Sequence, residues 1–171
     1  DLGSGDDTAS NTGTINGDVI LGSGLNKLTT SGAIAGAVTG GTSADTLSNT
    51  GLIVGAIDLS NGSNVLFNSG TIIGNAVLGS GDDTVTNTGS LTGTFSLGGG
   101  SDTFLGGVFE DRVLGNAGDD SVHLRGGDDT FLAEDSDGND IVRGSDGTDT
   151  YDASAATSAM TIDLDDGIAK G

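Results

Sequence analysis

The sequence predicts an all-β fold, a right-handed parallel β-solenoid, from three observations. Residues 2–96 divide without gaps into five units of nineteen residues, and residues 97–152 follow a period of nine. Medium-sized apolar side chains recur at fixed places in these units, and the 171 residues include 33 glycines and no proline. A strict short period is typical of a solenoid, in which each coil stacks on its neighbours around a thin apolar column.

Composition excludes several classes of protein. The formal net charge is −20 with only five Lys and Arg residues, so no basic patch is available for nucleic acid, and docking on an anionic membrane is disfavoured. No apolar run approaches the ~20 residues that span a bilayer, so membrane insertion is not expected. The absence of cysteine fits secretion without disulfides. Because the chain starts inside a repeat, we expect it to be a fragment of a longer protein.

The five N-terminal units (residues 1–96) predict stacked columns of equivalent side chains. Three apolar columns and one leucine column interrupted by Gly40 form the expected core: Ala9, Leu28, Leu47, Leu66 and Val85; Ile15, Ile34, Ile53, Ile72 and Leu91; Val19, Val38, Ile57, Ala76 and Phe95; Leu2, Leu21, Leu59, Leu78 and Leu97. Asparagines in one column, interrupted by Thr30, predict an internal amide ladder: Asn11, Asn49, Asn68 and Asn87. Two glycine columns, beginning at Gly13 and Gly17, predict a turn and a bend. These units resemble the passenger stalks of bacterial autotransporter adhesins.

The nine-residue units of residues 97–152 have a different character, with a two-residue insertion at Ala133–Glu134. Five of the six have glycine at the fourth place, and Phe109 replaces it in the other. All have a large apolar residue at the eighth place and aspartate at the sixth, namely Asp102, Asp111, Asp120, Asp129, Asp140 and Asp149. Glycine permits tight turns that direct carbonyls inward. Carbonyls and carboxylates at close range suit calcium, a hard cation that takes many oxygen ligands.

This tract resembles the RTX (repeats-in-toxin) calcium-binding nonapeptide family, with its pattern GGxGxDxUx, in which U is large and apolar. The resemblance implies a β-roll with two units per coil and several Ca²⁺ ions between stacked turns. It also implies that each calcium ion is bound between two turns. The residues at places two, four and six of the lower nonapeptide and at places one, three and six of the upper one would be its ligands.

Carried onto this sequence and extended by one coil, the resemblance implies five calcium sites. Their residues are Gly79, Gly81 and Asp83 with Leu97, Gly99 and Asp102; Gly98, Gly100 and Asp102 with Gly115, Ala117 and Asp120; Gly107, Phe109 and Asp111 with Leu124, Gly126 and Asp129; Asn116, Gly118 and Asp120 with Asp135, Asp137 and Asp140; Arg125, Gly127 and Asp129 with Gly144, Asp146 and Asp149. The first half of each N-terminal unit is also a drifted nonapeptide, and its sixth places continue one edge: Asp7, Asn26, Asp45, Asn64 and Asp83. Because asparagine is neutral, we expect this half to be poor in metal. The alternative for the aspartates is ordinary solvated turns.

Two remaining features complete the sequence interpretation. Residues 153–171 contain alternating Met160, Ile162 and Leu164, which predict a strand or cap that continues the roll. His123 is the only histidine, and its place in the repeat predicts an outward side chain. With five scattered basic residues, we expect no catalytic site and no enzyme activity in this chain.

The sequence therefore predicts a secreted, calcium-dependent structural solenoid of a bacterial cell-surface protein, such as an adhesin stalk, surface layer or fibre. The family resemblance implies type I secretion and folding on contact with extracellular calcium. Calcium is the expected partner; end-to-end or lateral self-association stays open, as does contact of other domains with surface polysaccharide or a host receptor. The alternative is a non-catalytic calcium module of a secreted polysaccharide-modifying enzyme or toxin. A third class, an ice-binding solenoid, is disfavoured by the mixed residues at its turns.

Overall fold

A computed structural model describes residues 1–135 and 137–157. These residues form a right-handed parallel β-solenoid of about eight turns, without any helix, which confirms the predicted fold class. Among them, no helix is long and apolar enough to cross a membrane. The predicted strand around Met160, Ile162 and Leu164 lies outside the described residues.

Short strands separated by tight corners make up each coil. In chain order they are β1 (Thr8–Asn11), β2 (Thr14–Ile15), β3 (Val19–Ile20), β4 (Lys27–Thr30), β5 (Ala33–Ile34), β6 (Val38–Gly41), β7 (Thr46–Asn49), β8 (Leu52–Val54), β9 (Ile57–Ser60), β10 (Val65–Asn68), β11 (Thr71–Ile73), β12 (Ala76–Val77), β13 (Thr84–Asn87), β14 (Ser90–Leu91), β15 (Phe95–Gly99), β16 (Thr103–Leu105), β17 (Arg112–Ala117), β18 (Ser121–Gly126), β19 (Thr130–Leu132), β20 (Ile141–Asp146) and β21 (Thr150–Asp152).

The strands assemble into three parallel sheets along the solenoid axis. Sheet 1 has the order β1-β4-β7-β10-β13-β16-β18-β20, and sheet 3 has the order β3-β6-β9-β12-β15-β17-β19-β21. Sheet 2 contains only β2-β5-β8-β11-β14. The coils are therefore three-sided up to β14 and two-sided beyond it, a change of cross-section that the repeat period alone does not reveal.

The length of the coils follows the sequence repeats. Equivalent residues on successive coils are 19 apart in the N-terminal part, as for Asp7 and Asn26. The spacing becomes 18 between Asp102 and Asp120 and 20 between Asp120 and Asp140. The insertion at Ala133–Glu134 lies in this last coil, yet Val122 still pairs with Val142 in register. The corner thus absorbs the insertion, and the apolar places stay on the inner face.

The predicted apolar columns form the core. Their members pair in register across the sheets, and most are fully buried. Phe95 and Phe104 face each other across the two sheets with ring centroids 5.1 Å apart. Phe131 and Tyr151 stack along sheet 3 at 5.4 Å. Large aromatic rings thus fill the interior where the coils have lost their third side.

The asparagine column forms the predicted internal ladder. Asn49 Nδ2 donates to Asn68 Oδ1 at 2.8 Å, and Asn68 Nδ2 donates to Asn87 Oδ1 at 2.7 Å. At the interruption, Asn11 Nδ2 donates to the Thr30 hydroxyl at 3.0 Å. The ladder continues into the nine-residue repeats, because Asn87 Nδ2 donates to Asp111 Oδ1 at 2.7 Å. These hydrogen bonds satisfy polar groups that the apolar interior would otherwise leave unpaired.

The second glycine column lies at the corner between the second and third strands of each coil, and not inside a strand. At Gly36, a Cβ atom would lie 2.4 Å from the carbonyl of Gly17 on the previous coil. The predicted close backbone approach is therefore present, and it turns the chain into sheet 3.

Candidate metal sites

The glycine–aspartate turns share one backbone conformation at their second and fourth places. The second place has φ between 66° and 80° where it is not glycine, at Ser60, Asn116, Arg125 and Ser145. In nine turns the fourth place is glycine with φ between 102° and 139°: Gly5, Gly24, Gly62, Gly81, Gly100, Gly118, Gly127, Gly138 and Gly147. Non-glycine residues tolerate the first conformation, whereas the second is restricted to glycine. Glycine at the fourth place is therefore a requirement of the turn.

Two turns depart from this conformation, and both lack glycine at the fourth place. They begin at Gly40 and Gly106 and have Ser43 and Phe109 at the fourth place. Phe109 is half exposed, so it points away from the core. In these turns the first-place glycine makes room for the sixth-place carboxylate. A Cβ atom on Gly106 would lie 2.7 Å from Asp111 Oδ2.

The sixth-place side chains form a ladder along the axis, and they are buried except at its ends, where Asp7, Asp140 and Asp149 are half-buried. On the first edge, each one after Asp7 accepts a hydrogen bond through Oδ1 from the sixth-place backbone N–H of the preceding coil. This first edge consists of Asp7, Asn26, Asp45, Asn64, Asp83, Asp102, Asp120 and Asp140. A second edge continues the asparagine ladder with Asp111, Asp129 and Asp149. The predicted continuous edge is present, but its side chains point inward rather than into solvent.

The second oxygen of these carboxylates is the unusual feature. Oδ2 is buried and has no hydrogen-bond partner among the described residues at Asp7, Asp83, Asp102, Asp111, Asp120 and Asp129. From Asp83 onward these residues are at most 3% exposed. A buried, unpaired carboxylate oxygen costs on the order of 1–3 kcal/mol or more. Solvated acidic turns therefore do not describe these five residues.

Burial changes the ionisation of the same groups. Desolvation raises the pKa of Asp83, Asp111 and Asp120 to about 7, and neighbouring aspartates add to the shift. The pKa values of Asp129 and Asp140 are raised to about 6, again chiefly by burial. Without a counter-charge, the stacked carboxylates thus bind protons at a much higher pH than an exposed aspartate does.

The structure stacks the paired turns of all five predicted sites. The second place of one turn pairs in register with the second place of the next turn, as for Gly98 with Asn116 and Arg125 with Ser145, and the third places pair in the same way. Their carbonyls already accept hydrogen bonds between coils. Gly79 O accepts from Gly99 N at 2.8 Å. A carbonyl has two acceptor lone pairs, so such an oxygen can still bind a cation.

Two predicted ligands near the insertion have other contacts. The Asp135 carboxylate accepts hydrogen bonds from the amide and hydroxyl of Thr157. The Asp137 carboxylate is buried and accepts one from the backbone N–H of Glu134. Their backbone positions stay in the turn stack, because Gly118 N donates to Asp137 O at 2.8 Å. The Asp135 side chain thus binds the segment at Thr157, and the Asp137 side chain binds the backbone of the insertion.

Sequence reasoning missed a second ladder on the outer rim of the turns. Fifth-place aspartates accept hydrogen bonds from the fifth-place N–H of the following coil. Asp82 Oδ1 accepts from Ser101 N at 2.9 Å, and Asp119 Oδ1 accepts from Asn139 N at 2.9 Å. Asp6 and Asp128 do the same. The doubled Asp–Asp in these units was the available signal, since the two carboxylates lie on opposite sides of the turn backbone.

Side-chain ligands alone do not complete a metal site. Over residues 1–135 and 137–157, no three His, Cys, Asp or Glu side chains are arranged to hold a metal ion. A cation in these turns would therefore take most of its ligands from backbone carbonyls. Calcium accepts such ligands readily.

His123 does not belong to these sites. It lies on sheet 1, where its Nε2 is 2.6 Å from Arg143 Nη1 on the following coil. The His123 side chain lies on the outer face, between the buried Val122 and Leu124, as its place in the repeat predicts.

Comparison of the chain with protein-family models, curated proteins and solved structures gives no match. The RTX resemblance thus stands on the motif residues alone.

The raised pKa values predict that the metal-free solenoid becomes more stable on acidification. An aspartate ionises near pH 3.8 when unfolded but at about 7 when folded at Asp83, Asp111 and Asp120. Between these values the folded state binds more protons, so the free energy of unfolding increases as pH falls through about 7. Thermal unfolding in chelator, followed between about pH 8 and pH 5, measures this slope.

Variants of neighbouring aspartates provide the control for this pH dependence. Asp83→Asn should remove part of the slope, whereas Asp82→Asn, with its exposed carboxylate, should leave most of it. A melting temperature that decreases steadily with acidification over this range contradicts the prediction.

Proposed function

We propose that this chain is a calcium-stabilised structural segment of a secreted bacterial surface protein. Its chemistry is cation binding between stacked turns, and its role is mechanical. Calcium stiffens the two-sided coils, and the three-sided coils extend the same rod. The proposal gives the chain no catalytic residues.

The observation that carries this proposal is the set of unpaired, buried Oδ2 atoms on Asp83, Asp102, Asp111, Asp120 and Asp129. Each has a buried, ionisable oxygen without a hydrogen-bond partner among the described residues. A divalent cation between two coils would pair with the Oδ2 atoms of both and keep them ionised. The turn carbonyls at the same level supply the additional oxygen ligands that calcium needs.

Coupling of binding to folding follows from the same geometry. The ligands of each candidate site come from two coils, 18 to 20 residues apart, so the unfolded chain has no preformed site. Binding free energy then contributes directly to folding. Sites of the extracellular type bind calcium at ~10⁻⁴–10⁻³ M, which would keep the acidic coils unfolded in a cell and fold them outside it.

Asp120→Asn tests the sites directly, because Asp120 belongs to two of the five predicted sets. In calorimetric titration we expect wild type to bind five calcium ions. The variant should lose at least one ion and bind a second about tenfold more weakly, which corresponds to about 1.4 kcal/mol.

Asp119→Asn is the matched control, since it removes the same charge from the exposed neighbouring carboxylate. We expect it to keep all ions at nearly wild-type affinity. Equal losses in the two variants would mean that calcium responds only to overall charge, and absence of binding by wild type would contradict the proposed function.

A further inference from the structure

On the first edge, asparagine side chains donate hydrogen bonds to the carbonyls of the turns, which ionised aspartate side chains cannot do. Asn64 Nδ2 donates to Gly62 O at 2.9 Å and to Leu78 O at 3.0 Å. It therefore joins the fourth-place carbonyl of its own turn to the first-place carbonyl of the next. Asn64 is fully buried, so this amide is an interior bridge between two coils.

Two coils earlier, Asn26 also contacts the fourth-place carbonyl of its own turn, but its second partner is a carboxylate of the next coil. Its Nδ2 donates to Gly24 O at 2.9 Å and to Asp45 Oδ1 at 3.0 Å. The carboxylate of Asp45 also accepts from the backbone N–H of Asn26 through Oδ1 and from that of Gly41 through Oδ2, both at 3.0 Å. Both oxygens of this buried acid are thus satisfied by N–H groups.

From Asp83 onward the edge changes, because Oδ2 of Asp83, Asp102 and Asp120 has no hydrogen-bond donor among the described residues. Asp83 follows Asn64 by one coil and has the same Oδ1 contact, with Asn64 N at 2.6 Å. Its Oδ2, which replaces the amide nitrogen, has no hydrogen-bond partner among the described residues. An ionised carboxylate cannot donate to the turn carbonyls, so these oxygens need a cation or a proton between them.

We propose that the side-chain amides of Asn26 and Asn64 take the place of bound calcium ions in their turns. Residues 26–64 then form a metal-free part of the solenoid, while the turns from Asp83 onward depend on calcium. This inference rests on the proposed function, because it assigns the boundary of the same row of sites. It also makes the Asn64 turn a latent calcium site that one substitution would open.

Asn64→Asp is the first test. Asn64 Oδ1 accepts from Asp45 N at 2.8 Å, and the substitution keeps this acceptor. It replaces the Nδ2 donor beside Gly62 O and Leu78 O by a carboxylate oxygen. We expect the variant to bind one calcium ion more than wild type in calorimetric titration. In chelator its melting temperature should fall by roughly 5 °C, since a buried acceptor loses its partner.

Asn61→Asp is the charge-matched control. Asn61 is exposed in the same turn, and its side-chain oxygen accepts a hydrogen bond from the Ser80 hydroxyl. This variant should bind the wild-type number of ions, so a gain specific to Asn64→Asp cannot be ascribed to added charge.

Asp83→Asn is the reciprocal test and does not require a destabilised protein. The new amide would meet the carbonyls of Gly81 and Leu97, as that of Asn64 meets Gly62 and Leu78. We expect one ion fewer than wild type and a melting temperature in chelator that is higher by roughly 5 °C.

The outcomes separate this inference from the function on which it rests. Calcium binding by wild type, with no gain in Asn64→Asp, overturns the inference alone; so does a lower melting temperature of Asp83→Asn in chelator. Absence of calcium binding by wild type overturns the proposed function and the inference together.

Discussion

Gly118→Ala is expected to destabilise the solenoid by about 3 kcal/mol or more. Gly118 has φ +139°, and a Cβ atom on it would lie 1.7 Å from the carbonyl oxygen of Gly100 on the previous coil. The clash is with backbone, so no side-chain rotation relieves it. The turn must open, and with it the candidate sites above and below. Thermal unfolding at fixed calcium should show a melting temperature lower by roughly 6–12 °C.

Gly99→Ala is the matched control from the same stack of turns. A Cβ atom on Gly99 would lie 3.8 Å from Ala117 O, an ordinary contact, and its backbone is not in the left-handed region. We expect a change below about 1 kcal/mol. Equal destabilisation by the two substitutions would contradict the role assigned to the fourth-place glycine.

Phe95→Ala is expected to cost about 3–5 kcal/mol, as for other buried phenylalanines. Phe95 is fully buried on β15, directly after the last strand of sheet 2. Its ring lies 5.1 Å from that of Phe104 and fills the interior where the coil changes from three sides to two. Removing it leaves a cavity at the junction of the two parts, which chemical denaturation would measure.

Phe67→Ala serves as the control for this loss. Phe67 lies on β10 and is 46% exposed, so its removal should cost less than about 1 kcal/mol. Comparable costs for the two phenylalanines would show that the junction is not held by its aromatic pair.

Much of the fold was predictable because stacked coils place equivalent residues next to each other. A column such as Leu28, Leu47 and Leu66 can be read from the repeat alone, and the structure pairs it in register. The asparagine ladder was predictable for the same reason. Sheet 2 was not predictable, because a period of nineteen fixes the residues per coil but not the number of corners.

The candidate sites were predictable in position but not in orientation. The period identifies Asp102 and Asp120 as neighbours, and the structure joins them through Asp102 N and Asp120 Oδ1 at 2.8 Å. It does not reveal that these side chains turn inward, because a repeat period alone does not distinguish the inner from the outer face of a turn. The repeat period also does not show whether Asn64 is a weak calcium ligand or a hydrogen-bond donor. That role depends on the partners of its amide, which are backbone carbonyls of two coils.

We propose that calcium completes the fold from Asp83 onward. Far-UV circular dichroism during a calcium titration from a chelated start, with magnesium as control, is the experiment that decides this. The account predicts partial β structure in chelator and a further gain that saturates at ~10⁻⁴–10⁻³ M calcium, absent with magnesium. A full β spectrum in chelator that calcium leaves unchanged would contradict it, and the apolar columns alone would then hold the solenoid.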